Sequence, residues 1–330
     1  MKRNDGRADL SGKVVVITGA SGGVGRAAVR AFAARGAKLA LLARGADGLE
    51  AAREEAGVLG GEAIALRMDV ADAEQMHAAA GEAEERLGPI DIWVNNAMTT
   101  IFAPLHAITP AEFRRATEVT YLGTVWGTMA ALARMRRRNR GVIVQVGSAL
   151  AYRAIPLQSP YCGAKHAVRG FTDAVRSELI HDGSEIHLTM VQLPALNTPQ
   201  FDWCETRLPN QPQPVPPIFQ PEVAAEAIVF AATHRRREIA VGLPTVKTIW
   251  GQKFLPGFLD RYLAGVAWDG QMTDEPIDPE RPSNLWAPVA GDHGAHGRFD
   301  ARAREAAPQL WANMHRGWLF AGAGALAGAA

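Results

Sequence analysis

The chain has 330 residues, 48% of them hydrophobic and 21% charged. That is an ordinary globular composition, with room for one large α/β domain plus an appendage or for two small domains. Lys plus Arg total 35 against 34 Asp plus Glu, a balance that leaves no electrostatic footprint for nucleic acid or an anionic membrane.

The basic opening Met1-Lys2-Arg3 runs into polar residues rather than an export segment. No apolar run reaches the roughly 20 residues that span a bilayer. Two cysteines, Cys162 and Cys204, are too few for a stapled secreted fold. The expectation is a cytoplasmic protein with free thiols and no membrane span.

In chain order, short β-branched runs at 14–18, 38–43, 63–68, 90–94, 142–146, 186–193 and 238–241 alternate with helical patterns. Those lie at 24–35, 47–57, 73–87, 110–138, 159–181 and 221–234. The strands are nearly continuous apolar runs, as when helices cover both faces. The alternation predicts a doubly wound parallel sheet of about seven strands.

Two stretches break the rhythm. Residues 208–220 hold five prolines and cannot be helix or central strand; their place after the sixth strand makes them a candidate substrate lid. From about Trp250 the pattern stops, which divides the chain into a domain over 1–249 and an irregular extension over 250–330. That extension carries five of the eight tryptophans, so it is expected to wrap the domain or a partner subunit. Its apolar close, from Trp318 to Ala330, reads as a frayed end.

The turn Thr18-Gly19-Ala20-Ser21-Gly22-Gly23-Val24-Gly25 follows the first strand and opens the first helix. One glycine permits the turn, one lets backbone approach a pyrophosphate, and one lets helix pack on strand. The helix amino end then offers free N–H groups to the phosphates. Where a site for NAD would place an acid at the end of the second strand, Ala43 and Arg44 stand instead. A guanidinium there suits a 2′-phosphate, so NADP is expected over NAD.

Tyr161 and Lys165 are spaced i, i+4 and share one helix face, and Ser148 closes the fifth strand thirteen residues earlier. A phenol is a poor base at neutral pH, and a neighbouring ammonium draws it toward operating pH. The serine can orient a substrate oxygen. Weaker signals are read plainly. His293 and His296 lack a completing set of metal ligands, so no metal is expected. Arg134, Arg136, Arg137, Arg138 and Arg140 read as a solvated helix end, and Cys162 as packing.

These motifs, with Asp69-Val70 after the third strand and Asn95-Asn96-Ala97 after the fourth, resemble the short-chain dehydrogenase/reductase family over about residues 10–245. The resemblance is to its single-domain, Rossmann-like branch. It implies an NADP(H)-dependent oxidoreductase with a small carbonyl or alcohol substrate, and a homodimer or homotetramer built on helices around 110–138 and 159–181.

By resemblance, the dinucleotide would be held by Thr18, Gly19, Ser21, Gly23, Val24, Gly25, Arg44, Asp69, Val70, Asn96, Ala97, Tyr161, Lys165 and Thr198. Tyr161 would be the acid/base, with Lys165 on the nicotinamide ribose and Ser148 on the substrate. Thr120 stands where the family has asparagine in a proton relay. Met98 replaces a glycine, and Leu193-Pro194 replaces Pro-Gly. The alternative is a sensor that binds NADP(H) with little turnover; a nucleotide-sugar epimerase fits the glycine spacing poorly.

Overall fold

The computed structural model describes residues 8–316. At its centre is an all-parallel sheet of seven strands. They are β1 (Val14–Thr18), β2 (Lys38–Ala43), β3 (Glu62–Arg67), β4 (Ile90–Asn95), β5 (Val142–Ser148), β6 (His187–Leu193) and β7 (Glu238–Ala240). The spatial order is β7-β6-β5-β4-β1-β2-β3. Strand addition reverses between β1 and β4, and this switch point opens a crevice at the carboxyl ends.

Helices α1 (Gly23–Ala33), α2 (Ala46–Val58), α3 (Ala73–Leu87), α4 (Pro110–Thr117), α5 (Gly123–Met135) and α6 (Ser159–His181) connect the first six strands. The one-turn α7 (Gln200–Trp203) and then α8 (Pro221–Thr233) follow β6. The residues of β1 show why the strands read as unbroken apolar runs. Val15 and Ile17 enter the core beneath α1, α2 and α8, while Val14 and Val16 enter the one beneath α3, α5 and α6. Each such buried side chain contributes about 1.5–3 kcal/mol.

The single helix expected over 110–138 is instead α4, a π-helical turn over Glu118–Leu122, and α5. A capping box between Thr109 and Glu112 starts α4. Beyond the π-turn Gly123 seats against Val70, where a Cβ would lie 2.9 Å from Val70 Cγ2. The arginine cluster is only partly solvated: Arg134 is buried and donates to the carbonyls of Ala130 and His77.

The boundary expected at 249/250 falls inside α9 (Gly242–Phe254), and α10 (Pro256–Val266) follows directly. The pattern is hidden in sequence because neither helix buries a continuous apolar stripe. Trp250, Phe254 and Phe258 face solvent, and no residue of α10 is buried. The chain then turns back across the domain. Met272–Pro276 pairs with Asn210–Pro212, and Ala303–Arg304 with Ile218–Phe219, so the proline-rich stretch takes only two-stranded ladders. Phe299 joins Phe102, Phe201 and Ile218 in a satellite core, and α11 (Pro308–Met314) buries Leu310. The extension therefore packs on its own domain. Its apolar close from Trp318 lies outside the described residues.

Candidate active site

The strand carboxyl ends open into one cavity of about 600 Å³, within the size range of small-molecule sites. At one end lies the glycine turn. Gly19 and Gly23 have φ of +68° and +54°, a region where side chains are strained. A Cβ on Gly25 would sit 2.0 Å from the Gly19 carbonyl oxygen, so this glycine permits the close approach of α1 to β1. No side chain caps α1. The N–H groups of Ser21, Gly22 and Val24, which line the cavity, have no acceptor among the described residues. This cradle fits a pyrophosphate.

Two expected binding residues stand behind the wall rather than on it. Gly25 does so by its packing role. Thr18 is buried; its Oγ1 accepts from the N–H groups of Asn96 (3.0 Å) and Ala97 (3.1 Å) and donates to the Val94 carbonyl. It fixes the end of β4 beside the turn. Asn96 adds a bond from its side-chain amide to the Thr18 carbonyl at 3.0 Å, and both Asn96 and Ala97 line the cavity. Asn95 is spent on the core: it accepts from Trp93 Nε1 and donates to Thr128 and Gln145.

Arg44, Asp69 and Val70 line the cavity too. Arg44 does not project freely. Its Nη1 donates to the carbonyl of Trp286 (3.2 Å) and its Nη2 to that of Asn284. Burial lowers its pKa, with Asp69 opposing. Asp69 accepts from the Ala71 N–H and from Arg115.

Ser148, Tyr161 and Lys165 converge midway along the cavity. Ser148 Oγ accepts from the Leu150 N–H at 3.1 Å and lies near enough to the Tyr161 phenol to pull its pKa down. Lys165, 3% exposed, donates to the Val146 carbonyl at 2.7 Å. Burial pushes the Tyr161 phenol up to about 12 against a smaller opposing pull from Ser148, and pushes Lys165 down to about 8. The expected depression of the phenol by Lys165 is absent from this arrangement: the ammonium is engaged with a backbone carbonyl instead.

Thr120 is a correction. Its hydroxyl is fully buried, donates to the Thr99 carbonyl (2.9 Å) and accepts from the Thr99 N–H (3.1 Å), and it does not line the cavity. The π-turn aims it at the loop after β4. Thr198 does line the cavity, packed on Gly23, and Met98 lies on the same wall.

Sequence reading missed three contributors to the wall. Thr245 and Lys247 come from α9, and Leu259 and Tyr262 from α10, neither of which was expected as a helix. Asn284, Pro288, Val289, Gly291 and His293 come from the extension. The proline-rich stretch lines the wall through Gln213 to Pro217. His293 and His296 part company. His293 packs on Trp203, while His296 lies between Glu222 and Asp300. Burial opposes charge on His296, but the two carboxylates outweigh it and raise its pKa. Cys162 and Cys204 are buried free thiols off the cavity.

The family model for short chain dehydrogenases matches residues 13–205. The chain belongs to the short-chain dehydrogenase family. It is 31% identical over 286 residues to the uncharacterized oxidoreductase YxnA of Bacillus subtilis, covering 86% of this chain and 80% of that one. It is 36% identical to human 17-beta-hydroxysteroid dehydrogenase 13 over 52% of this chain and 58% of that one.

Among solved structures it is similar to a metagenomic short-chain oxidoreductase in complex with NADP. That match has 26% identity and a TM-score of 0.60, over 71% of this chain and 98% of that one. An alcohol dehydrogenase from the archaeon Thermococcus sibiricus, complexed with 5-hydroxy-NADP, gives 29% identity and a TM-score of 0.60 over 69% and 95%. The protein is thus an NAD(P)-dependent oxidoreductase of the CH-OH/C=O class. Among the described residues no helix is long and apolar enough to cross a membrane.

Proposed function

We propose that this enzyme uses NADP(H) to interconvert a carbonyl and a secondary alcohol of an apolar small molecule, with Tyr161 as the proton-transferring group. The observation that carries the reading is the meeting of Ser148, Tyr161 and Lys165 on a cavity continuous with the glycine turn.

When bound, the nicotinamide supplies or accepts the hydride at C4. The chain's own groups do the rest. A phenol held near pKa 12 stays protonated at neutral pH, which suits protonation of the oxygen as a carbonyl is reduced. Ser148 Oγ, fixed by the Leu150 N–H, hydrogen-bonds that oxygen and sets its direction. Lys165 would hold the nicotinamide ribose, and Thr198 would contact the carboxamide. The reverse reaction returns the proton to Tyr161.

NADP is favoured because Arg44 lies at the adenosine end, and Ala43 stands where an NAD site would carry an acid on the second strand. Two similar solved structures are complexes with NADP or 5-hydroxy-NADP. An apolar substrate is favoured by Phe102, Leu150, Ile155, Leu196, Phe201 and Val215 on the cavity wall. Assembly as a dimer or tetramer through α4 to α6 belongs to the same reading, which the exposed Phe113, Met129 and Ile180 support.

The test is a panel of aliphatic, aromatic and polycyclic ketones and aldehydes, scored for NADPH oxidation. Turnover of apolar carbonyls above polar ones supports the reading. Tight NADPH binding with no turnover across the panel sinks it in favour of a sensor.

A further inference from the structure

The dinucleotide groove of this chain has an outer wall. Residues 284–294 of the extension run beside the glycine turn and the start of α2, with Asn284, Pro288, Val289, Gly291 and His293 lining the same cavity as Gly19, Arg44 and Val70. The segment is fastened at both ends. At the first, Leu285 is fully buried beside Ile101 and Ala116. The carbonyls of residues 284, 285 and 286 there accept from Arg44 and Arg115.

At the second end, the Gly294 carbonyl accepts from the Gly23 N–H at 3.0 Å, and Asp292 pairs with the buried Arg26 at 3.0 Å. Between the two the strap is held lightly. The Gly291 N–H donates to Asp47 at 2.8 Å, Pro288 passes Gly45, and Trp286 is exposed. The N–H groups of Ser21, Gly22 and Val24 have no acceptor among the described residues.

We propose that this strap is part of the dinucleotide site itself: it closes over bound NADP(H), positions Arg44 for the adenosine end, and makes release depend on its opening. The inference rests on the reading above that the cavity takes NADP(H). The match that uses 98% of the metagenomic enzyme covers 71% of this chain. Positioning follows from the clasp, because a guanidinium fixed by backbone carbonyls on one edge keeps its remaining donors aimed in one direction. Slow release follows from enclosure: a ligand under an anchored segment leaves only as often as the segment opens.

A Cβ on Gly45 would lie 3.4 Å from Pro288 Cβ, close to the Cβ separation of a disulfide. The full chain carrying Gly45→Cys with Pro288→Cys therefore gives a strap that can be locked. Protein loaded with NADPH under reductant is oxidised, and the release rate is read from nucleotide fluorescence after a chase with excess NADP. Release at least tenfold slower when oxidised, restored by reductant, is expected. Asp292→Ala, which frees the second end, is expected to speed release about tenfold.

Equal rates in oxidised and reduced protein, with Asp292→Ala unchanged, would overturn the strap. An oxidised protein that releases NADPH faster than the reduced one, or cannot retain it, would show the segment to be a plug and overturn it equally. Failure of the unmodified, reduced protein to bind NADPH would overturn the cofactor reading, and the strap with it.

Discussion

Lys165 Nζ lies 5.6 Å from the centroid of the Tyr161 ring while donating at 2.7 Å to the Val146 carbonyl. The ammonium thus stands beside the phenol without touching its oxygen. Its position is set by strand β5, and the phenol's ionisation is set by burial. Removing the hydroxyl should therefore remove proton transfer and little else. Tyr161→Phe is expected to cut carbonyl reduction by about 10²–10⁴-fold, with NADPH affinity changed by no more than about threefold. Steady-state rates and fluorescence titration of the same preparation check both halves.

Lys165 gives the site a pH dependence. Burial lowers its pKa to about 8, so the ammonium is present below pH 8 and lost as pH rises through it. If the charged form holds the ribose, NADPH affinity should be level from pH 6 to 7 and fall roughly tenfold by pH 9. Lys165→Met should bind more weakly at pH 7 and show a flat profile. Titrations at constant ionic strength decide it; an unchanged profile in the variant would remove Lys165 from the binding role.

Arg44 should set the choice between the two nucleotides. Charge-assisted hydrogen bonds contribute about 1.5–3 kcal/mol each, and NADH lacks the phosphate that would receive them. Arg44→Ala is expected to lower the ratio of NADPH to NADH affinity by roughly 10–100-fold. A ratio that stays put would assign the guanidinium to holding residues 284–286 alone.

The buried amide of Asn95 makes a stability prediction. It satisfies Trp93, Thr128 and Gln145 at once, so Asn95→Ala leaves buried partners unpaired. The cost should be about 2–4 kcal/mol, read from urea unfolding monitored by circular dichroism, with NADPH binding retained in the folded fraction.

Much of this was legible in the sequence. The seven strands follow from apolar runs that both cores claim, as β1 shows with Val15 and Ile17 on one face and Val14 and Val16 on the other. The glycine turn and the spacing of Tyr161 and Lys165 are local, and local geometry survives into the fold. What escaped depends on distant contacts. Thr120 occupies a family position, yet its hydroxyl is claimed by Thr99, twenty-one residues away, through a π-turn that no periodicity announces. The α9–α10 pair was invisible because Trp250, Phe254 and Phe258 are exposed and the two helices give no continuous buried stripe. The company Arg44 keeps was not legible, since its carbonyl partners lie some 240 residues further on.

The central claim is that hydride and proton are exchanged where Ser148, Tyr161 and Lys165 meet, and transfer of isotope tests it most directly. NADPH deuterated at C4 on either face is supplied with the best apolar ketone of the panel, and the alcohol is analysed by mass spectrometry. One face is expected to deliver a single deuterium to the carbinol carbon in step with cofactor oxidation, with label lost in Tyr161→Phe. Cofactor bound tightly with no label in product, or label transferred equally well by Tyr161→Phe, would contradict the account.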